Sequence, residues 1–259
     1  MLRVYLDRAY KRDPNDDVMC VALVVYKPAQ YKQFVKIWNP MLKEWNADNF
    51  HATDFYGGWG EFKRNTEERQ NHFLNDSKRI PRMIGKYVER VLVVSFKPTE
   101  FERVVPPLWK KTIGTSTHSQ AVQLALISNG WWREDHYPKE SFAYFMESGD
   151  EDEGEVVKTV ELMRNDKRYG TGKVISVSSF TTVCKKEKVR GLEAADFVAW
   201  HWNKFYMDKV RIGDEETPRK DFAAFISVQK QDAVEFIFPT EERLKFYFSR
   251  IPEQILRGE

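Results

Sequence analysis

Leu2-Arg3-Val4-Tyr5-Leu6-Asp7 and Val18-Met19-Cys20-Val21-Ala22-Leu23-Val24-Val25-Tyr26 are the two runs from which the architecture is built. In the first, apolar Leu2, Val4 and Leu6 alternate with Arg3 and Tyr5, and the run ends on a carboxylate, which is the two-residue period of a strand. The second is almost continuously apolar and β-branched, as a strand buried on both faces is. Between them Lys11-Arg12-Asp13-Pro14-Asn15-Asp16 is rich in turn formers, so the two strands are expected to pair as a hairpin.

Outward from the hairpin, helical and strand patterns alternate. After Pro28, apolar Tyr31, Phe34, Val35, Trp38, Met41, Leu42 and Trp45 follow helical spacing, with a kink or break expected at Pro40. Phe50-His51-Ala52-Thr53-Asp54-Phe55 leads into a Gly57-Gly58-Trp59-Gly60 loop, and a polar-faced helix is expected from Asn65 toward Val88, interrupted at Pro81. Strands are predicted at Val91 to Phe96, at Phe142 to Met146 running into Glu147-Ser148-Gly149-Asp150, and at Lys173 to Ser179. Helices are predicted around Ser119 to Trp132, Val156 to Met163 and Gly191 to Phe205, with further helical and apolar pieces after Pro218. This alternation calls for an α/β fold, a mixed β-sheet flanked by α-helices.

A chain of 259 residues, 42% hydrophobic and 31% charged, can bury a sizeable core and reads as one elaborated domain rather than a disordered segment. With 41 basic and 39 acidic residues the formal charge is only +2, so no global field announces a polyanionic partner and local patches must carry any such case. No apolar run approaches the roughly 20 residues that cross a bilayer, and no signal sequence precedes the first strand. Together with two lone cysteines, Cys20 and Cys184, these features point to a reduced, cytoplasmic setting without a membrane.

Ligands bind at the carboxyl ends of strands in open α/β sheets, and Asp7 and Glu147 both occupy such ends. On the helix from Gly191, Glu193 and Asp196 are three apart, and Trp200 and Asn203 continue their stripe, while Ala194, Ala195 and Ala199 permit close approach to the sheet. Phosphodiester hydrolysis needs an activated water and a stabilised leaving oxyanion, which divalent metals supply, and Mg²⁺ or Mn²⁺ favours several oxygen ligands. Asp7, Asp54, Glu147 and Asp196 form such a candidate set, although among 39 acidic residues some fall at strand ends by chance and serve as turn or helix-cap residues. His51, three residues before Asp54, suits a proton shuttle or metal ligand as well as it suits a hydrogen-bonded loop histidine. His201, five residues past Asp196, lies off that face and reads as packing.

Other chemistries lack their motifs. The cysteines have no paired Cys or His spacing for zinc. Gly170-Thr171-Gly172-Lys173 is too short for a phosphate loop and precedes a strand, and no serine-hydrolase elbow occurs. Lys185, Lys186, Lys188 and Arg190 would set phosphate-attracting charge beside Glu193 and Asp196 or simply face solvent. Trp131-Trp132-Arg133 suits base stacking or the packed end of a helix.

The strand ending in Asp7, the Phe50-His51-Ala52-Thr53-Asp54-Phe55 segment, the strand into Glu147-Ser148-Gly149-Asp150 and, above all, Gly191-Leu192-Glu193-Ala194-Ala195-Asp196-Phe197-Val198-Ala199-Trp200 resemble the family called "domain of unknown function 3800". The resemblance spans nearly the whole chain. It implies a ribonuclease H-like core over about residues 1–207 with a C-terminal extension over about 208–259. It also implies a metal-dependent nuclease acting on nucleic acid, with Asp7, Glu147 and Asp196 binding metal, Asp54 or Glu193 completing the set, and His51 assisting proton transfer. Two positions depart from the family: Arg8 follows Asp7 where the family favours Glu, and Glu193 stands where it favours Gln. Arg8 removes a possible acidic ligand and Glu193 adds one, so a catalytically silent module that binds nucleic acid or a protein is the alternative expectation.

Overall fold

The computed structural model describes residues 1–11, 18–105, 116–150, 152–165, 177–184, 187–212, 220–227 and 233–237. The expected hairpin is present: β1 (Leu2–Lys11) pairs antiparallel with β2 (Val18–Tyr26), placing Asp7 opposite Ala22. The remaining strands are β3 (Arg90–Phe96), β4 (Phe142–Glu147), β5 (Val177–Val183) and β6 (Val234–Ile237). They form one mixed sheet in the order β5-β4-β1-β2-β3-β6. β4 runs parallel to β1 and β5 parallel to β4; β3 is antiparallel to β2, and β6 is parallel to β3. All residues of β2 and β3 are buried, which is why β2 reads as an unbroken apolar run and β3 as one broken only by Arg90 and Ser95.

Helices cover both faces. On one lie α1 (Pro28–Glu44), α2 (Ala52–Gly57), α3 (Glu67–Tyr87), α7 (Arg190–Ile212) and α8 (Lys220–Ser227), closing a core of Tyr5, Val24, Phe34, Trp38, Phe55, Ile84, Phe197 and Phe222. On the other lie α4 (Pro98–Val104), α5 (Thr117–His136) and α6 (Glu153–Asn165), over Val4, Leu6, Val21, Phe101, Leu126, Tyr144 and Val160. Strand alternation thus sends Tyr5 and Ala9 to the α7 side and Val4 and Leu6 to the α5 side.

Several expectations change. Neither Pro40 nor Pro81 ends its helix; α1 and α3 run through both, and Pro81 is buried. The lost N–H bond is outweighed by the apolar stripes these helices bury, Phe34, Trp38, Met41 and Leu42 in α1 and Ile80, Met83 and Ile84 in α3. Ala52 to Phe55 is helical, and its last turn closes on Gly58 at φ +70°. The described part of β5 runs Val177–Val183, farther along than expected; 173–176 and the Gly170–Lys173 stretch lie outside the described residues, as do 12–17 of the hairpin turn. The C-terminal part contributes a strand as well as a helix: β6 extends the sheet beside β3. Four residues are too few for alternation to announce it.

Candidate acidic site

α7 is drawn against β1 by its composition. Ala194, Ala195 and Ala199 are fully buried, and a Cβ on Gly191 would stand 2.3 Å from the Tyr5 ring. Nothing larger than hydrogen fits between helix and strand there. The far end is tied by Asn203, whose amide donates to the carbonyls of Ala9 at 3.2 Å and Val18 at 3.5 Å.

Asp7 and Glu147 follow directly on Leu6 and Met146, the last paired residues of the parallel β1–β4 ladder; β1 does not end at Asp7 as expected but runs on beside β2 to Lys11, so Asp7 lies where the parallel ladder stops while Glu147 closes β4. Asp196 approaches from α7. The Asp7 carboxyl is pushed well above the usual carboxylate range, first by burial, then by the negative charges of Asp196, Glu147 and Asp150, against a hydrogen bond from the Arg8 backbone. The side-chain charges that act on it most are therefore all negative.

Asp196 accepts from the Ala52 backbone N–H at 2.6 Å, which docks the start of α2 onto α7. His51, the residue capping α2, lies with Nε2 4.0 Å from Asp196 and Nδ1 3.6 Å from Asp54. The imidazole thus stands between the more buried Asp196 carboxylate and the half-exposed one of Asp54. A small cleft of about 50 Å³ opens here, lined by His51, Glu147, Cys184, Leu192, Glu193 and Asp196 among others.

Glu193 is occupied differently from the expectation. Its carboxylate accepts from Trp38 Nε1 and from Arg190, joining α7 to α1. Burial pushes its pKa up to about 7, against the opposing effects of Arg190, Trp38 and the Phe50 backbone. Arg190 also donates to Asn39 at 2.8 Å and to the Asp48 carbonyl at 3.0 Å, and Lys188 pairs with Asp48 at 2.7 Å. These two members of the basic run therefore brace the 48–49 segment; Lys185 and Lys186 lie outside the described residues.

Arg8 takes the opposite side of β1 from Asp7, reaching Asp150 at 2.8 Å and Asp152 at 3.4 Å across the loop after β4. His201 is fully buried among Tyr56, Phe197, Trp200 and Phe222, in keeping with a packing role. Arg133 is buried and Trp132 stacks on His136, so of that trio Trp131 alone is exposed. Both cysteines are free.

Of the residues proposed from the sequence, His51, Glu147, Glu193 and Asp196 line this cleft; Asp7 adjoins it through the charges of Asp196 and Glu147, and Asp54 lies beside His51. Sequence reasoning missed Trp38 and Asn39, which announce nothing in sequence because their role is to receive Glu193 and Arg190 from a helix over 150 positions away. Among the described residues, no group of three or more His, Cys, Asp or Glu side chains is arranged to hold a metal ion as it stands, and no helix is long and apolar enough to cross a membrane. Compared with protein-family models and with curated proteins, the chain matches none.

Proposed function

We propose that this chain is a divalent-metal-dependent nuclease with a ribonuclease H-like core, akin to the "domain of unknown function 3800" family. One observation carries the reading: Asp7, Glu147 and Asp196, distant in sequence, converge where the parallel β1–β4 ladder stops, so that burial first and then the charges of Asp196 and Glu147 raise the Asp7 carboxyl. Clustered carboxylates lower stability unless a cation offsets them, so their convergence suits a cation site. The strand order β3-β2-β1-β4-β5, with only β2 antiparallel to its neighbours, supports the ribonuclease H-like assignment.

The donors are hard carboxylate oxygens, which fit Mg²⁺ or Mn²⁺ rather than zinc. In this reading Asp7, Glu147 and Asp196 would hold the metal, which when bound supplies a nucleophilic water and stabilises the leaving oxygen. A cation here would favour the ionised form of Asp7, so affinity is expected to rise with pH. His51 holds or passes a proton between the cleft and Asp54. Glu193, with its carboxylate already engaged by Trp38 and Arg190, positions α7, and through it Asp196.

The second reading, a non-catalytic module, draws on Arg8. Its guanidinium engages Asp150 and Asp152, withdrawing both carboxylates from any cation at the neighbouring strand end.

The test is calorimetric titration of the protein with Mn²⁺ beside Asp196→Asn, which keeps an oxygen for the Ala52 N–H, followed by cleavage assays on labelled DNA and RNA. Micromolar binding and cleavage, both lost in the variant, are expected. No Mn²⁺ binding by the wild type, with or without nucleic acid, refutes the nuclease and favours the silent module.

A further inference from the structure

α3 carries a second charged feature, of opposite sign. Between α1 and α3 lies an open groove of about 500 Å³ lined by Ile37, Asn75, Lys78, Arg79, Arg82, Met83, Lys86 and Tyr87. Its floor is apolar; its wall is a basic stripe, since Lys78, Arg82 and Lys86 succeed one another at four-residue intervals and are all exposed.

Arg79 is accounted for by Glu44 at 3.4 Å and Asp76 at 3.6 Å. Lys78, Arg82 and Lys86 make no ion pair with any described residue, and only Lys86 has a further contact, over the Tyr87 ring at 5.4 Å. The helical neighbours of Arg82 at three and four residues are Lys78, Arg79, Gly85 and Lys86: three cations and no acid. Like charges at this spacing destabilise a helix. In a chain whose total charge is only +2, such a stripe is a local concentration of charge that a polyanion would relieve.

We propose that this groove is a docking track for the phosphate backbone of a nucleic acid, with Lys78, Arg82 and Lys86 each contacting a phosphate. The helical repeat spaces the three cations at about 6 Å, close to the phosphate-to-phosphate distance along a strand. The groove lies on the same side of the sheet as the acidic cleft, and α1 links them: Ile37 lines the groove while Trp38 and Asn39 hold Glu193 and Arg190. A backbone held here is thereby bound on the face that carries the carboxylates. The docking is electrostatic and needs no divalent ion, so it stands or falls apart from the nuclease reading.

The experiment measures binding of a fluorescently labelled DNA duplex to the full chain by anisotropy, in chelator, over a range of NaCl concentrations. Wild type is expected to bind with an affinity that falls steeply with salt. The variant Lys78→Gln, Arg82→Gln, Lys86→Gln is expected to show a log–log slope shallower by about 2.7, that is, about 0.9 for each phosphate no longer neutralised. A charge-matched control, Lys139→Gln, Lys158→Gln, Arg164→Gln, removes exposed cations outside the groove and is expected to leave the slope unchanged. Neutralising a self-repelling stripe should not unfold the chain; were it to do so, Arg82→Gln alone is expected to reduce the slope by about 0.9. Absence of wild-type binding, equal slopes for wild type and stripe variant, or an equal fall in the control each overturns the proposal. So does a stripe variant that releases vesicles of anionic phospholipid while keeping its DNA slope. Loss of cleavage or of Mn²⁺ binding in the separate test leaves this result untouched.

Discussion

Gly191→Ala tests the packing that brings Asp196 to the strand ends. The new Cβ would lie 2.3 to 2.4 Å from three atoms of the Tyr5 ring, about 1.1 Å inside the 3.4 Å at which ordinary contact begins. The ring has nowhere to retreat: Tyr5 is 1% exposed, stacked on Tyr31 and Phe145 at 5.2 Å each and edge-on to Tyr26 at 5.9 Å. Helix α7 must therefore lift. Overpacking of this kind costs about 1–3 kcal/mol, while the better helix propensity of alanine returns at most about 1. The net is a loss of about 1–2 kcal/mol, or a melting temperature lower by about 2–8 °C for a chain of this size. Because Asp196 rides on α7, the Mn²⁺ affinity should fall too. Thermal denaturation of wild type, Gly191→Ala, Tyr5→Leu and the double variant makes a double-mutant cycle, in which the smaller side chain at position 5 should recover part of the loss. A Gly191→Ala protein as stable as wild type, or a cycle with no coupling, would refute the argument.

Two further outcomes follow from the buried carboxyls. Asp7→Asn removes a carboxyl whose ionised form is opposed by burial and by three negative neighbours, so it is expected to raise the melting temperature at neutral pH while abolishing Mn²⁺ binding; a lower melting temperature with the fold retained would contradict the electrostatic account. For Glu193 the folded pKa of about 7 lies above the ordinary 4.5, so its contribution to stability is fully present below about pH 4.5 and is lost as pH rises through about 7. At about 1.4 kcal/mol per unit this amounts to at most about 3 kcal/mol. Denaturant titrations of Glu193→Gln should match wild type at the acid end and lose less stability toward pH 8; parallel pH profiles would sink the claim.

Local patterns in the sequence set the elements and their sides. Alternation in Leu2–Leu6, the unbroken apolar run of Val18–Tyr26 and the helical stripes of α1 and α7 are each legible because burial on one or two faces leaves a period in the chain. The strand-end position of Glu147 followed from the same pattern, whereas β1 continues past Asp7 to Lys11 because β2 goes on pairing with it. Which side chains meet is settled only in three dimensions. Side-chain alternation put Arg8 on the face away from Asp7, where the loop after β4 offers it Asp150 and Asp152. Glu193 reads along the chain as a spare ligand, yet Trp38 and Arg190 occupy it. The basic stripe of α3 was legible as charges but not as a groove, because its other wall, Ile37, belongs to another helix. Periodicity is a property of neighbours along the chain, whereas a site is a property of neighbours in space. Partners some 150 residues apart leave no period to read.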